Sequence, residues 1–350
     1  MLLRHLVPDI PVIQAPMAGV STPTLAAAVS EAGGFGSLGI GAMSPETARV
    51  AISETRCLTR RPFGVNVFCH RSVPPDPTCN QRWLAWLRPE FARYKAEPPA
   101  TLHEIYPSFR DDSAICDMLI KERPALVSFH FGLPDHAMIS ALRGADILLA
   151  ATVTAPAEAR QATEAGIDFL IAQGYEAGGH RGLSDPQAED LRLDTLTLLR
   201  RIAACTPLPL IAAGGIMNGA DIVAALKAGA AAVQMGTAFV ACDESAASPA
   251  HRAALSAAGQ SGTAMMSAIS GRPARGIINR FTSLDVRPDR PVIPAYPCAY
   301  EAGKALDRAA RACGETGYGA FWAGSNAGRV RPMPAARLMA LLSDEIRETE

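Results

Sequence analysis

Two histidines and three side chains near residue 300 have the residue types and spacing to do acid–base or anion chemistry. His130 lies in VSFHFG and His180 in QGYEAGGHRG, each at or just past the end of an apolar run. Imidazole is the side chain whose ordinary pKa lets it take up and return a proton near neutrality. The glycines on the N-terminal side of His180 point to a backbone shaped around a ligand. His5, His70, His103, His136 and His251 have no such context and read as surface or core residues. Tyr296, Tyr300 and Lys304 follow one another at intervals of four, which on a helix puts two phenols and an ammonium on one face. That face is either an ordinary amphipathic surface or a roof offering donors and positive charge to a small anion.

Four amides interrupt otherwise buried runs: Gln14, Asn66, Gln173 and Gln234. A buried amide must find hydrogen-bond partners, and four at strand ends suggest one shared polar ligand. Glycines cluster beside them in Ala213-Gly214-Gly215-Ile216 and Gln234-Met235-Gly236-Thr237. Without side chains, such loops let backbone N–H groups reach phosphate oxygens. Gly34-Phe35-Gly36-Ser37-Leu38-Gly39 also matches the dinucleotide fingerprint GxGxxG. That fingerprint requires glycines leaving a strand and opening a helix. Here they follow a helix and lie inside the strand, so close backbone packing explains them better.

The elements that must position these groups are short apolar runs at 11–17, 34–40, 63–68, 125–131, 145–153, 168–173, 208–213 and 231–236. Unbroken apolar runs of this length suit parallel strands buried on both faces. Between them lie Ala-rich amphipathic stretches with helix-start signals at Ser21-Thr22-Pro23, Ser44-Pro45-Glu46, Thr154-Ala155-Pro156 and Asn218-Gly219. Eight alternating strands and helices predict a (β/α)₈ TIM barrel, with a doubly wound sheet as the second choice. The catalytic rim is then the C-terminal end of the strands. Residues 1–240 and 311–350 are expected to form the barrel, with a proline-rich excursion at 69–123 after the third strand. Residues 241–310 are expected to form a helical lid facing the substrate.

Composition removes several function classes. A net charge of −1 with mixed signs gives no footprint for nucleic acid or an anionic membrane. The longest apolar stretch, 222–241, is broken by Lys227 and Gln234 and reads as a helix followed by a strand. The eight cysteines form no CxxC pair and no zinc-like cluster, so reduced thiols and no metal site are expected. The absence of a secretory signal fits a cytoplasmic protein, monomeric or homodimeric.

Taken in order, IQAPMAG, FGVNVF, SFHFG, AQGYEAGGHRG, AAGGI and VQMGTAF resemble the nitronate monooxygenases, from about Pro11 to Phe239 and again from Tyr296 to Gly324. The resemblance implies FMN as cofactor, with Ala15, Pro16 and Met17 near its ring and Asn66 and Gln173 touching it. It assigns Gly178, Gly215, Gln234, Met235, Gly236 and Thr237 to the ring and its phosphate tail. His180 matches the family's catalytic histidine, His130 a second pocket residue, and Tyr296, Tyr300 and Lys304 the substrate entrance. It implies oxidation of alkyl nitronates such as propionate 3-nitronate with O₂, giving a carbonyl compound and nitrite. The chain departs from the family's frequent Trp-Ala-Gly-Gln with Trp322-Ala323-Gly324-Ser325. Two other activities remain open: an NAD(P)H-dependent FMN reductase of enoyl thioesters or quinones, and a phosphate-binding barrel without flavin.

Overall fold

Eight parallel strands alternate with helices in the computed structural model, which describes residues 9–349. The first half contains β1 (Val12–Gln14), α1 (Pro23–Glu31), β2 (Gly36–Gly39), α2 (Pro45–Leu58), β3 (Phe63–Phe68), α3 (Ser113–Glu122), β4 (Leu126–His130) and α4 (His136–Gly144). The second contains β5 (Leu148–Val153), α5 (Pro156–Glu164), β6 (Phe169–Gln173), α6 (Thr195–Ala203), β7 (Leu210–Ala213), α7 (Gly219–Lys227), β8 (Ala232–Met235) and α8 (Ala335–Thr349). Strands pair in chain order from β2 to β8, and β8 pairs with β1, placing Val12 opposite Val233. A bridge between Ile13 and Phe35 links β1 to the start of β2 and closes the sheet. This is the expected (β/α)₈ barrel.

Local chemistry sets the helix starts. Thr22, Ser44 and Asn218 each accept a hydrogen bond from the third helical amide, those of Leu25, Thr47 and Asp221. The expected cap at Thr154 is not made. Ala155 is the N-cap, and Thr154, one residue too early to reach the free amides, donates its hydroxyl to Glu158 at 2.8 Å. Gly36 accounts for the false fingerprint, since an added Cβ would sit 1.9 Å from the Ala26 carbonyl of α1. The glycine lets that helix lie against the strand.

Inside the barrel, Ile13, Phe35, Leu126, Phe169 and Ile211 form a plug. Filling the interior leaves the strand ends as the place for a ligand. The 69–123 excursion carries a helix, Pro77–Ala92. The long segment between β8 and α8 carries helices Pro249–Ser256 and Cys298–Ala312 and a hairpin of Thr263–Met266 with Ala274–Ile277. Trp83, Leu87 and Phe91 of the excursion pack with Phe281, Ala302 and Leu306 of that segment in a core of their own. The boundary expected at residue 310 falls inside the helix Cys298–Ala312. His5 lies outside the described residues. No helix among those described is long and apolar enough to cross a membrane.

Candidate active site

A cavity of about 690 Å³ lies at the C-terminal ends of the strands, and every residue that the family resemblance assigns to catalysis, substrate or cofactor lines it. Its floor comes from strand ends. Ala15, Pro16 and Met17 follow β1, Asn66 lies on β3, His130 ends β4, Gln173 ends β6, and Gln234 and Met235 end β8.

One end of the floor is a cradle of backbone. Gly215 has φ +71°, a conformation costly for any residue with a Cβ. The amides of Gly215, Gly236 and Thr237 have no acceptor among the described residues. Their loops are held from outside: Asn326 donates to the Gly215 carbonyl at 2.6 Å, and Gly324 N–H donates to the Thr237 hydroxyl at 2.9 Å. Free amides on adjacent strand ends fit a phosphate. Asn66 donates to Ser128 at 3.0 Å, which leaves its carbonyl oxygen available, and the Gln234 amide has no protein partner among the described residues. This donor set fits a flat ring with both acceptors and donors along its edge.

Not every amide serves the cavity. Gln14 is fully buried outside it, donating to the Ala15 carbonyl and to Ser21 (2.9 Å) and accepting from Ser37 N–H (3.0 Å). The common-ligand reading of the four amides is therefore wrong for Gln14, whose partners are all local. Gln173 lines the cavity but spends its side chain on the histidine loop, donating to the His180 carbonyl at 2.9 Å and accepting from Gly182 N–H at 2.8 Å. Buried Arg181 ties the same loop down, forking onto Asp190 at 2.8 and 2.9 Å and donating to the Gln173 and Gly174 carbonyls.

The loop delivers His180 on a two-residue strand, Gly179–His180, paired antiparallel with Ala274 and Arg275 of the hairpin. His180 Nε2 lies 2.9 Å from the Ser270 hydroxyl. Ser270 already donates to the Arg272 carbonyl at 3.1 Å, so the proton between the two belongs to Nε2. Nδ1 is left with a free lone pair. Burial first, then His130 and Arg272, lower the His180 pKa to about 3, so the ring is neutral. His130 faces the His180 carbonyl with Nε2 (3.3 Å) and Thr152 with Nδ1 (3.1 Å), and burial brings its pKa down to about 4.

The roof closes over His180. The rings of Tyr296, Tyr300 and Trp322 lie 5.5, 6.1 and 5.2 Å from its ring. Lys304 bonds the Tyr106 hydroxyl and lies 5.1 Å from the Tyr300 ring. Desolvation raises the Tyr300 and Tyr106 phenols to about 12, which keeps both as donors. The expected single helical face is only partly right. The helix starts at Cys298, so Tyr300 and Lys304 share its face while Tyr296 reaches the cavity from the preceding turn.

A family model described as nitronate monooxygenase matches residues 2–345. The chain belongs to the nitronate monooxygenase family. It is 53% identical to the nitronate monooxygenase of Paraburkholderia phytofirmans, over 97% of this chain and 93% of that one. It is 49% identical to that of Pseudomonas aeruginosa, over 96% of both. A crystal structure of nitroalkane oxidase from Streptomyces ansochromogenes superposes with a TM-score of 0.89 at 40% identity, covering 100% of this chain and 99% of that one. Membership makes the chain an oxidoreductase of a flavin-dependent family.

Several lining residues were not legible from their sequence surroundings: Thr152, Tyr106, Trp322, Asn326 and His251. Ser270, which sets the His180 tautomer, was also missed. Where family members often carry glutamine, Ser325 is exposed, and the next residue, Asn326, brings a carboxamide to the cavity. A carboxamide residue two places after Trp-Ala-Gly was the available signal.

Proposed function

We propose that this chain oxidises alkyl nitronates, propionate 3-nitronate among them, using FMN and O₂ and releasing a carbonyl compound and nitrite. The amides of Gly215, Gly236 and Thr237 would hold the phosphate of FMN, and Ala15, Pro16, Met17, Asn66, Gln173 and Gln234 would hold its ring. When bound, the flavin supplies an electron acceptor beside the nitronate carbon.

His180 holds the reacting group. In the free site its Nδ1 is an acceptor, because Nε2 donates to Ser270. An anion seated beside the ring raises its proton affinity. The ring then takes up a proton as a nitronate binds and donates from Nδ1 to a nitro oxygen. With a neutral nitroalkane the same nitrogen removes the α-proton. Tyr300 donates its phenol, and Lys304 attracts a carboxylate at the other end of the substrate. The elements around 77–92 and 263–312 act as the lid that keeps water from the reaction, in a cytoplasmic protein.

The observation that carries this reading is the Nδ1 of a half-buried, neutral His180, without a partner among the described residues, in one cavity with Lys304 and a cradle of free amides. It is tested by a visible absorbance spectrum of the purified protein followed by nitrite release from propionate 3-nitronate in air. A flavin spectrum with no nitrite, together with rapid anaerobic bleaching by NADH or NADPH, would reassign the chain as a reductase.

A further inference from the structure

The cavity continues past the His180 end. On the helix Cys298–Ala312, Tyr300, Lys304, Asp307 and Arg311 form one stripe, and all of them line it. At the helical rise this stripe is about 16 Å long. A propionate-sized nitronate under Tyr300 and Lys304 occupies only part of that length.

At the far end, Arg311 lies 6.0 Å from the Phe321 ring, and the His251 ring stacks on Phe321 at 5.2 Å. Two residues lining this end, His251 and Asp307, each keep a buried polar atom, Nε2 and Oδ1, with no partner among the described residues. His251 is only 6% exposed. Burial lowers its pKa to about 4 and keeps the ring neutral. Asp307 spends its other oxygen on Arg311 at 2.8 Å. Asp307 Oδ1 is thus an acceptor waiting for a donor and His251 Nε2 a second unmet polar atom, and a buried unmet polar group is costly. Arg311 already pairs with the single carboxylate, which disfavours a further cation and favours a neutral donor.

We infer that this end of the cavity is a second subsite, binding a hydroxyl or primary amide at the far end of an extended nitronate. The identity of the reacting head rests on the function proposed above; the donor requirement of the subsite does not. The probes are the nitronates of 5-nitropentan-1-ol and 1-nitropentane, titrated into the flavin-loaded enzyme by anaerobic calorimetry. The hydroxylated probe is expected to bind five- to ten-fold tighter, about the worth of one hydrogen bond. In His251→Phe and in Asp307→Ala the ratio should fall towards one. It is read within each variant, so a general loss of affinity cancels. Equal affinities in the unaltered enzyme would mean that water alone serves these atoms and would overturn the inference, as would a ratio that survives both substitutions. Nitrite release in air from the same pair is a separate readout. Its absence would refute the nitronate reading and leave the anaerobic ratio to decide the subsite.

Discussion

On the floor of the cavity each functional group comes from the end of a barrel strand or the loop directly after it. On the roof, Tyr106 and Lys304 touch although 198 positions separate them, and Trp322 arrives from a third segment. The two surfaces also differ in charge. The floor histidines, His130 and His180, are held neutral by burial, with pKa values near 4 and 3. The roof helix carries Lys304, Asp307 and Arg311. A dry floor with fixed amides suits an aromatic cofactor and a proton-transfer group, because its dipoles are already in place. Charge on the roof suits substrates that differ in their far ends. The chemistry is therefore assigned to the floor and the selectivity to the roof.

The strongest way to break this division is His180→Asn. The loop stays pinned through Gln173 and Arg181, so the variant should purify yellow, while kcat/KM for nitronates falls by roughly 10²- to 10⁴-fold, the range for a lost acid–base group. Undiminished turnover would move the chemistry away from the floor.

Acid offers a second test. His130, His180 and roof-side His251 have folded pKa values lowered to about 4, 3 and 4, against 6.5 when free. Below pH 6.5 the unfolded chain binds protons that the folded chain refuses, so stability present above that pH is lost as the pH falls toward 4. At pH 5 each group costs roughly 2 kcal/mol. Urea midpoints measured at pH 7, 6 and 5 should fall steeply below 6.5. A flat profile would mean that the floor is wet.

The same contrast explains what could be read in advance. The strands were legible because parallel strands buried on both faces are unbroken apolar runs, and groups at their ends inherit a known place on the rim. Gln14 misled because its partners, the Ser21 hydroxyl and the Ser37 amide, reach it only when the chain folds. Ser270 and Trp322 were hidden because their place depends on long-range pairing, Gly179–His180 with Ala274–Arg275 and Gly276 with Trp322. No local period reports such a contact. Tyr296 was placed on a helix because a four-residue spacing is the same whether or not the first residue belongs to it.

A smaller effect is expected from Gly215→Val on the floor. At φ +71° a β-branched residue is strained, and its Cβ would lie 3.2 Å from that of Glu176. A strain of about 1–3 kcal/mol corresponds to cofactor binding weaker by roughly 5- to 150-fold. The measurement is flavin retained per protein after gel filtration, and then the FMN dissociation constant. Affinity equal to that of the unaltered protein would remove the cradle from the phosphate.

The mildest change, Lys304→Met on the roof, discriminates best between the two surfaces. Lys304 is exposed, so its attraction for a carboxylate is screened by water and salt. A rise of about three- to ten-fold in KM for propionate 3-nitronate is expected, with kcat little changed, because the charge binds ground state and transition state alike. Ethyl nitronate has no carboxylate, so its KM should move by less than about two-fold. Raising the ionic strength should shrink the difference in the unaltered enzyme and leave the variant nearly indifferent to salt. If both substrates lose equally, Lys304 acts through its bond to Tyr106 on the shape of the whole roof, and the anion-anchoring role is rejected.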